Sequence, residues 1–292
     1  MLSRALALRS EPRAQADAFH ATLGRAAIVS LYDELALAPK PGLVSFVDAG
    51  SHDDMDAATF LRSLFALRHY FPRVAAQRAA SAAFAPLQAL GVAAEARMVQ
   101  ATCGVNTHRG AIFTLGLLCA AAGATHAAGR ACTAANLRAA LLARWGEALA
   151  RRAALPQDSH GSRAARRHGL RSAGDEAAQG LPTLFDHVLP ALRAARRAGA
   201  DDRGAKLQAL FTAMAEVDDT NLVHRGGLEG LAEAKSLARD FLAAGGGLHA
   251  DAAARAARLH AHFVARRLSP GGAADLLAAA CWVERVERTE LR

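Results

Sequence analysis

Apolar side chains recur at helical spacing along most of the chain, and the first such stretch runs from Asp17 to Leu37. Its apolar positions are three or four residues apart, so they fall on one face of an α-helix. They are Phe19, Leu23, Ala27, Leu31 and Leu35. Because Pro39 and Pro41 cannot continue a helix, the sequence predicts that this helix ends just before them.

The same pattern predicts further helices, and it shows no convincing pair of β-strands. One helix follows Thr59 and ends near Pro72. The others are predicted over residues 76–90, 92–100, 109–123, 131–154, 182–198, 203–217, 227–243, 250–268 and 272–289. Residues 156–174, rich in Ser, Gly, Arg and His, are predicted to form a long loop. We predict an all-α protein, with a loose N-terminal extension over residues 1–16 and one compact multi-helix domain over residues 17–292.

The composition supports a helical core and an anionic ligand. Hydrophobic residues make up 52% of the 292 residues but aromatic residues only 5%, so the core must be built mainly from Ala, Leu and Val. Ala and Leu are the strongest apolar helix formers. The formal charge of +8 favours an anionic partner, but two Tyr and two Trp are too few for a surface on which bases stack. Small polyphosphate ligands fit the charge equally well, and we expect no nucleic acid as a partner.

The cysteines and the apolar stretches indicate a cytoplasmic protein. The four cysteines form no CxxC pair and have no zinc-site spacing, so we expect them to be reduced. The first residues carry several charges and show no signal peptide. The longest apolar stretch, residues 110–124, is shorter than the ~20 residues of a membrane-spanning helix. We therefore expect no membrane association.

The most informative polar segment is the stretch of residues 101–113, which leads into an apolar helix. It combines Thr102, Asn106, Thr107, His108 and Arg109 within eight positions. The amides in the first turn of a helix lack partners and the helix dipole is positive there, so the segment suits an anion. The alternative is an ordinary helix start in which Thr107 is the N-cap and Arg109 is solvated.

Two clusters of carboxylates interrupt the apolar background. Asp53, Asp54 and Asp56 lie beside His52, and such clustering suits a metal ion that prefers oxygen ligands; the alternative is that Asp54 or Asp56 caps the next helix. Asp218 and Asp219 follow the helix predicted over 203–217, where the helix dipole disfavours negative charge. That unfavourable placement favours a functional role.

Three further polar features are candidates for ligand contacts. Lys40 lies between two prolines and could grip a phosphate from a stiff loop, or it could simply occupy the turn that ends the helix. Glu95 precedes the segment 101–113 and could bind metal or act as a base, or it could be solvated. Gly226 and Gly227, which follow Arg225, permit a ligand to approach the backbone closely. The basic segment 159–174 is either a lid that faces phosphate or a solvated strip.

Short motifs follow one another in a fixed order from roughly residue 25 to residue 285. They are Pro39-Lys40-Pro41-Gly42-Leu43-Val44, His52 with Asp54-Met55-Asp56 and Thr59-Phe60, Glu95 with Met98, Thr102 with Gly104-Val105-Asn106-Thr107-His108, Gly110 with Ile112-Phe113, Glu176-Ala177 with Gly180 and Pro182, Asp219-Thr220-Asn221, Arg225-Gly226-Gly227, and Ser269-Pro270-Gly271-Gly272-Ala273-Ala274-Asp275-Leu276-Leu277. In these motifs and their order, the chain resembles the triphosphoribosyl-dephospho-CoA synthase family. The chain departs from the family at Cys103, where the family has Gly, and at Arg109, where it has Lys. The cation at position 109 is retained, although its hydrogen-bond geometry differs.

The resemblance implies a helical transferase that moves the triphosphoribosyl group of ATP to the 2′-hydroxyl of 3′-dephospho-CoA and releases adenine. It implies Mg²⁺ held by Asp54, Asp56, Asp218 and Asp219, and a base among Glu95, His52 and His108. Substrate or phosphate contacts are expected from Lys40, Thr102, Asn106, Thr107, Arg109, Asn221, Arg225, Gly226 and Gly227. The product would serve as precursor of the prosthetic group of malonate decarboxylase, or alternatively of citrate lyase. The Ala-rich composition and the absence of a fused acyltransferase-like domain favour the malonate decarboxylase branch.

Two other functions are consistent with the same residues. One is a metal-dependent hydrolase that acts on compounds related to ADP-ribose, and the other is a helical protein that binds nucleotide or RNA without catalysis. The carboxylates argue against the last, because a phosphate binder without metal gains nothing from them. The oligomeric state is left open, with a homodimer as one option.

Overall fold

The computed structural model describes residues 2–77, 83–155 and 160–290, and these residues form helices joined by loops, with no β-strand among them. The helices are α1 (Leu2–Ala36), α2 (Ala57–Leu67), α3 (Tyr70–Ala75), α4 (Ala85–Ala101), α5 (Arg109–Ala127), α6 (Ala134–Ala154), α7 (His160–His168), α8 (Ala173–Ala178), α9 (Leu189–Arg197), α10 (Asp202–Glu216), α11 (Thr220–Ala243), α12 (Ala252–Ala265) and α13 (Gly271–Glu290). A π-helical segment, Thr183–Val188, precedes α9, and a short 3₁₀ turn, Gly246–Leu248, follows α11. The predicted all-α class is confirmed.

Helices α5 and α13 form the centre of the fold. Helix α5 contacts α1, α3, α4, α6 and α13, and α13 also packs against α1 and α10. Because α5 is apolar on every side, it must be buried on every side. It is long and apolar enough to cross a membrane by composition alone, but 78% of that stretch is buried inside the fold, as in a core helix.

A few large side chains fix how the outer helices pack on this centre. The Trp282 side chain is fully buried, and its indole N–H donates to the Leu23 carbonyl oxygen at 3.2 Å, which joins α13 to α1. The rings of Phe211 and Phe241 stack with centroids 3.7 Å apart, which joins α10 to α11. Elsewhere the core consists mainly of Leu and Ala, and each fully buried Leu contributes about 2 kcal/mol from burial.

The structure corrects the predicted loop over residues 156–174. Residues 160–168 form α7 and α8 begins at Ala173, while residues 156–159 lie outside the described residues. Helix α7 packs against α11, buries Ala165 and partly buries Ala164, although most of its residues are polar. Tertiary packing therefore stabilises a helix that has almost no apolar face of its own.

Other helix boundaries also differ from the prediction. Instead of helices over 76–90 and 92–100, the single helix α4 begins at Ala85, where Pro86 fits its first turn, and it continues through Gly91. Residues 78–82 of the first predicted helix lie outside the described part of the chain. Helix α11 begins at Thr220 rather than at residue 227. The backbone of residues 2–16 belongs to α1, whereas the sequence predicted a loose extension there.

Candidate active site

A cavity of about 1310 Å³ opens between the helices that surround the N-terminal ends of α5, α11 and α13. It collects polar residues from separate parts of the chain. The sequence-predicted residues in its wall are His52, Asp54, Glu95, Asn106, Thr107, His108, Arg109, Asn221 and Arg225. The predicted residues outside its wall are Lys40, Asp56, Thr102, Asp218, Asp219, Gly226 and Gly227.

The segment between α4 and α5 brings two charged residues together at the cavity. The Thr102 hydroxyl donates to the Met98 carbonyl oxygen at 2.8 Å, which holds the end of α4. Cys103 and Gly104 then adopt positive φ angles of 55° and 96° and reverse the chain. As a result, the Arg109 guanidinium forms an ion pair with the Glu95 carboxylate in the cavity wall.

The amides at the start of α5 already have partners within the protein. The Arg109 amide donates to the Asn106 side-chain oxygen at 3.2 Å, and the Ala111 amide interacts with the Asp275 carboxyl group. The N-cap position belongs to His108, so the alternative with Thr107 as N-cap is wrong. The Thr107 hydroxyl is buried and has no hydrogen-bond partner among the described residues. An anion could therefore be held here by side chains, but the first-turn amides are largely occupied.

His108 lies in the cavity wall as a buried, neutral side chain. Its Nδ1 is 2.6 Å from the Ser63 hydroxyl, and its ring contacts the Phe60 ring edge-on, with centroids 4.8 Å apart. Burial, together with the nearby Lys40 charge, lowers the pKa of His108 to about 3. Its Nε2 has no hydrogen-bond partner among the described residues.

His52 and Arg225 form a second polar group in the cavity wall. Arg225 donates to Nδ1 of His52 at 2.9 Å and to the Ser51 carbonyl oxygen at 2.9 Å. Nε2 of His52 lies 2.9 Å from the Ser269 hydroxyl. Burial, and then the Arg225 charge, lower the pKa of His52 to about 4. The Asp54 carboxylate, 3.7 Å from Nδ1, is largely exposed.

Lys40 is buried away from the cavity wall. Its ammonium group pairs with the Glu34 carboxylate and also donates to the Glu34 carbonyl oxygen at 2.6 Å. Burial lowers the pKa of Lys40, and the Glu34 charge opposes this effect. Glu34, unlike Lys40, lies in the cavity wall. The phosphate contact expected of Lys40 stays a prediction, and the geometry gives this residue a structural role.

Three of the four predicted metal-binding aspartates have structural partners. Asp56 caps α2 by accepting from the Thr59 amide at 2.8 Å. Asp218 pairs with Lys235 at 2.6 Å and accepts from the Arg171 amide at 3.1 Å. Among the described residues, no three His, Cys, Asp or Glu side chains are grouped so that they could hold a metal ion.

Asp219 is buried and caps two helices at once. It accepts from the Asn221 amide at 2.9 Å, in the first turn of α11, and from the Ala273 amide at 3.1 Å, in the first turn of α13. Burial raises the pKa of Asp219, and these amides oppose the rise. Its position after α10 is therefore explained by the helix that follows it.

The two glycines after Arg225 also have structural reasons. Gly227 has a φ of 66°, which produces a kink inside α11. A Cβ atom on Gly226 would lie 2.5 Å from the Leu268 side chain. Neither glycine lines the cavity.

Asp275 also lies in the cavity wall, although the sequence did not indicate it as a site residue. Its carboxyl group packs so closely on Gly110 that a Cβ atom there would lie 1.9 Å from Oδ2. Burial first, and then the charges of Glu34 and Asp219, raise the pKa of Asp275 well above its usual range. Its place in the Ser269–Leu277 motif was the only sequence signal. Arg152 and Arg166 also lie in the wall.

Partly buried His52 and buried His108 should make the protein less stable in mild acid. Because the pKa of each is below the ordinary value of 6.5, the unfolded chain binds more protons, and stability is lost as the pH falls below about 6.5. From pH 7 to pH 5, each histidine should reduce the free energy of unfolding by about 2 kcal/mol. Urea unfolding at both pH values measures this loss.

Variants separate the two histidines from the other titrating groups. His52→Gln and His108→Gln should each lose less stability between pH 7 and pH 5 than the wild type does. Exposed His187 provides the control, because His187→Gln should keep the wild-type dependence. Equal pH dependence in all four proteins would contradict the assignment.

The comparisons with known proteins agree on one family. The family model described as ATP:dephospho-CoA triphosphoribosyl transferase matches residues 20–292. A protein of Pectobacterium atrosepticum named 2-(5''-triphosphoribosyl)-3'-dephosphocoenzyme-A synthase is 42% identical over 255 residues, which are 84% of this chain and 82% of that protein.

Further relatives extend over similar lengths. A protein of Stutzerimonas stutzeri, named as a probable synthase of the same kind, is 41% identical over 265 residues, covering 89% of this chain and 90% of the relative. The corresponding protein of Acinetobacter calcoaceticus is 37% identical over 258 residues, 88% of each chain. No solved structure was found to match.

Proposed function

Because this chain belongs to the ATP:dephospho-CoA triphosphoribosyl transferase family, we propose that it transfers the triphosphoribosyl group of ATP to the 2′-hydroxyl of 3′-dephospho-CoA and releases adenine. The observation that carries the proposal is the family match over residues 20–292. The cavity supports it, since its volume of about 1310 Å³ exceeds the roughly 300–1,000 Å³ of a typical small-molecule site and leaves room for two nucleotides.

The proposed reaction requires one bond to break and one to form. The bond between ribose C1′ of ATP and N9 of adenine breaks, and a bond forms between that C1′ and the 2′-oxygen of 3′-dephospho-CoA. The hydroxyl proton leaves to a base, and adenine gains a proton. The triphosphate stays on the product, so the protein must bind it without hydrolysing it.

Among the three predicted bases, we favour the Glu95 carboxylate. Both histidines are weak bases, because burial lowers their pKa values. Both ring nitrogens of His52 also have partners within the protein. Glu95 lies in the cavity wall, and its ion pair with Arg109 places a cation beside it for a phosphate group. Arg225 supplies a second cation, while Asn106 and Asn221 can contact adenine or ribose.

We propose Mg²⁺ as a companion of the triphosphate rather than an ion held by a protein cage. Mg²⁺ commonly binds through one or two carboxylates together with substrate phosphates. The Asp54 carboxylate fits that role, since it lies in the cavity wall and is largely exposed. The ion would neutralise part of the triphosphate charge. Asp56, Asp218 and Asp219 have the structural partners described above.

We also propose that the product supplies the prosthetic-group precursor of malonate decarboxylase, with citrate lyase as the alternative. The Ala-rich composition supports this branch, and the names of the relatives specify neither branch. A cytoplasmic location is part of the proposal.

The test measures adenine and the coupled product by mass after incubation with ATP and Mg²⁺. Adenine should form with 3′-dephospho-CoA and not with CoA, because the 3′-phosphate of CoA would place a dianion beside the attacking hydroxyl. Like-charge contacts of this kind cost several kcal/mol, and about 1.4 kcal/mol is already tenfold in rate.

Three outcomes would contradict the proposal. Adenine formed without an acceptor would indicate a hydrolase. Equal use of CoA would contradict the account of the acceptor. Absence of adenine with 3′-dephospho-CoA would contradict the transferase activity itself.

A further inference from the structure

We infer that Ser269 is a substrate-binding residue whose hydroxyl group donates a hydrogen bond to an oxygen atom of a nucleotide in the cavity, and that Arg225 and His52 hold it in this role. The inference rests on the proposed function, since it identifies a further contact in the same site. Ser269 lies two residues before the first residue of α13 and is only 3% exposed, yet it lies in the cavity wall.

The first step fixes the proton of His52. A guanidinium group can only donate hydrogen bonds, so Nδ1 of His52 must accept from Arg225 across their 2.9 Å contact. The Asp54 carboxylate, which would instead require a proton on Nδ1, is farther away at 3.7 Å. An imidazole ring that accepts a hydrogen bond at one nitrogen carries its proton on the other nitrogen. The ring proton of His52 therefore lies on Nε2.

The second step fixes the role of the Ser269 hydroxyl group. Since Nε2 of His52 carries the proton, it donates to Ser269 Oγ across 2.9 Å. The oxygen is an acceptor in this bond, and the hydroxyl hydrogen remains for a different partner. Within the described part of the chain, Ser269 Oγ has no second hydrogen-bond partner. A buried hydroxyl hydrogen without an acceptor is unfavourable, so it points to an acceptor supplied by a ligand.

The third step concerns rigidity. The backbone before Ser269 is held by two side chains from distant parts of the chain. The Ser51 hydroxyl donates to the Leu268 carbonyl oxygen at 2.6 Å, and Arg225 donates to the Arg267 carbonyl oxygen at 3.2 Å. Arg225 therefore fixes both the backbone of this segment and the His52 ring. Such preorganisation is what a binding residue requires.

The test compares nucleotide binding by Ser269→Ala with binding by the wild type in calorimetric titrations with ATP and with 3′-dephospho-CoA. Loss of a hydrogen bond to a nucleotide oxygen should weaken at least one Kd by roughly tenfold. Ser30 provides the matched control, because it is a buried serine outside the cavity wall whose hydroxyl has no partner among the described residues. Ser30→Ala should bind both nucleotides as the wild type does.

Two further measurements test how Ser269 is held. Nitrogen NMR of the His52 ring should show the proton on Nε2 in the free protein. His52→Asn keeps an acceptor oxygen for Arg225, but its shorter side chain places no donor at the position of Nε2, so this variant should weaken nucleotide binding. The double variant with Ser269→Ala should be no weaker than Ser269→Ala alone, because both changes remove the same contact.

Titrations with tripolyphosphate and with adenosine distinguish the two sources of the oxygen atom. An effect of Ser269→Ala on tripolyphosphate binding would assign the contact to phosphate, and an effect on adenosine binding would assign it to ribose. Unchanged affinity of Ser269→Ala for both nucleotides, or a proton on Nδ1 of His52, would overturn the inference. A wild-type protein that binds neither nucleotide would overturn it together with the proposed function. Nucleotide binding that depends on Ser269 without adenine release would contradict the proposed function alone.

Discussion

Replacing Glu95 with glutamine should lower kcat for adenine release by about 100-fold or more while KM for ATP changes little. A positioned general base contributes about 10²–10⁴ in rate, and glutamine keeps the shape of the side chain but cannot accept the hydroxyl proton. The measurement is steady-state adenine release with 3′-dephospho-CoA as acceptor. Glu95→Asp should recover part of the rate, because it restores a carboxylate.

The matched control for this variant is Glu147→Gln. Glu147 is exposed on α6, outside the cavity wall, and also forms an ion pair with an arginine, Arg151. Its replacement should leave kcat and KM unchanged. If Glu95→Gln instead raises KM for ATP and preserves kcat, then Glu95 acts through Arg109 as a substrate-binding residue, and the assignment of the base is wrong.

Replacing Lys40 with methionine should lower the free energy of unfolding by about 3–5 kcal/mol. The change leaves the buried Glu34 carboxylate without its cation, and breaking one side of a buried ion pair typically costs this amount. Urea unfolding at pH 7 measures the loss. Most of it should be recovered in the double variant Lys40→Met with Glu34→Leu, because no uncompensated charge then remains.

The same variant distinguishes the structural role of Lys40 from the phosphate contact expected from the sequence. If Lys40→Met lowers the free energy of unfolding by less than about 1 kcal/mol but raises KM for ATP severalfold, then Lys40 binds phosphate. In that case its ion pair with Glu34 does not stabilise the fold. Recovery of stability in the double variant would support the structural role of Lys40. If Lys40 only bound phosphate, replacing Glu34 as well would not recover the free energy of unfolding.

The polar segments of the cavity could be predicted from the sequence, but the role of each residue in them could not. Asn106, His108 and Arg109 of the polar segment 101–113 lie in the cavity wall, as do His52 and Arg225. These residues could be selected because polar groups are unexpected in an apolar, Ala-rich chain. The sequence could not show that Lys40 and Asp219 turn inward, because an ion pair or a shared cap depends on residues far away in the chain.

The helical class follows from local properties of the sequence. Ala and Leu favour helix at every position they occupy, and the spacing of apolar residues from Phe19 to Leu35 identifies the buried face of α1 without any tertiary information. The start of α4 and the existence of α7 could not be predicted in this way. Alanine forms helices wherever packing allows, and α7 has too few apolar residues to show a period.

The tertiary structure alone decided which polar residues share a site. The fold places Asp275 against Gly110 and Ser269 against His52. Ser269 and His52 are 217 positions apart in the sequence, and the contact between them exists only because α13 packs beside the loop before α2. The sequence by itself determined the helical class and the polar segments between apolar helices, because these depend on near neighbours along the chain. The partners, the burial and the lowered pKa values of the histidines depend on long-range packing, and only the folded chain specifies them.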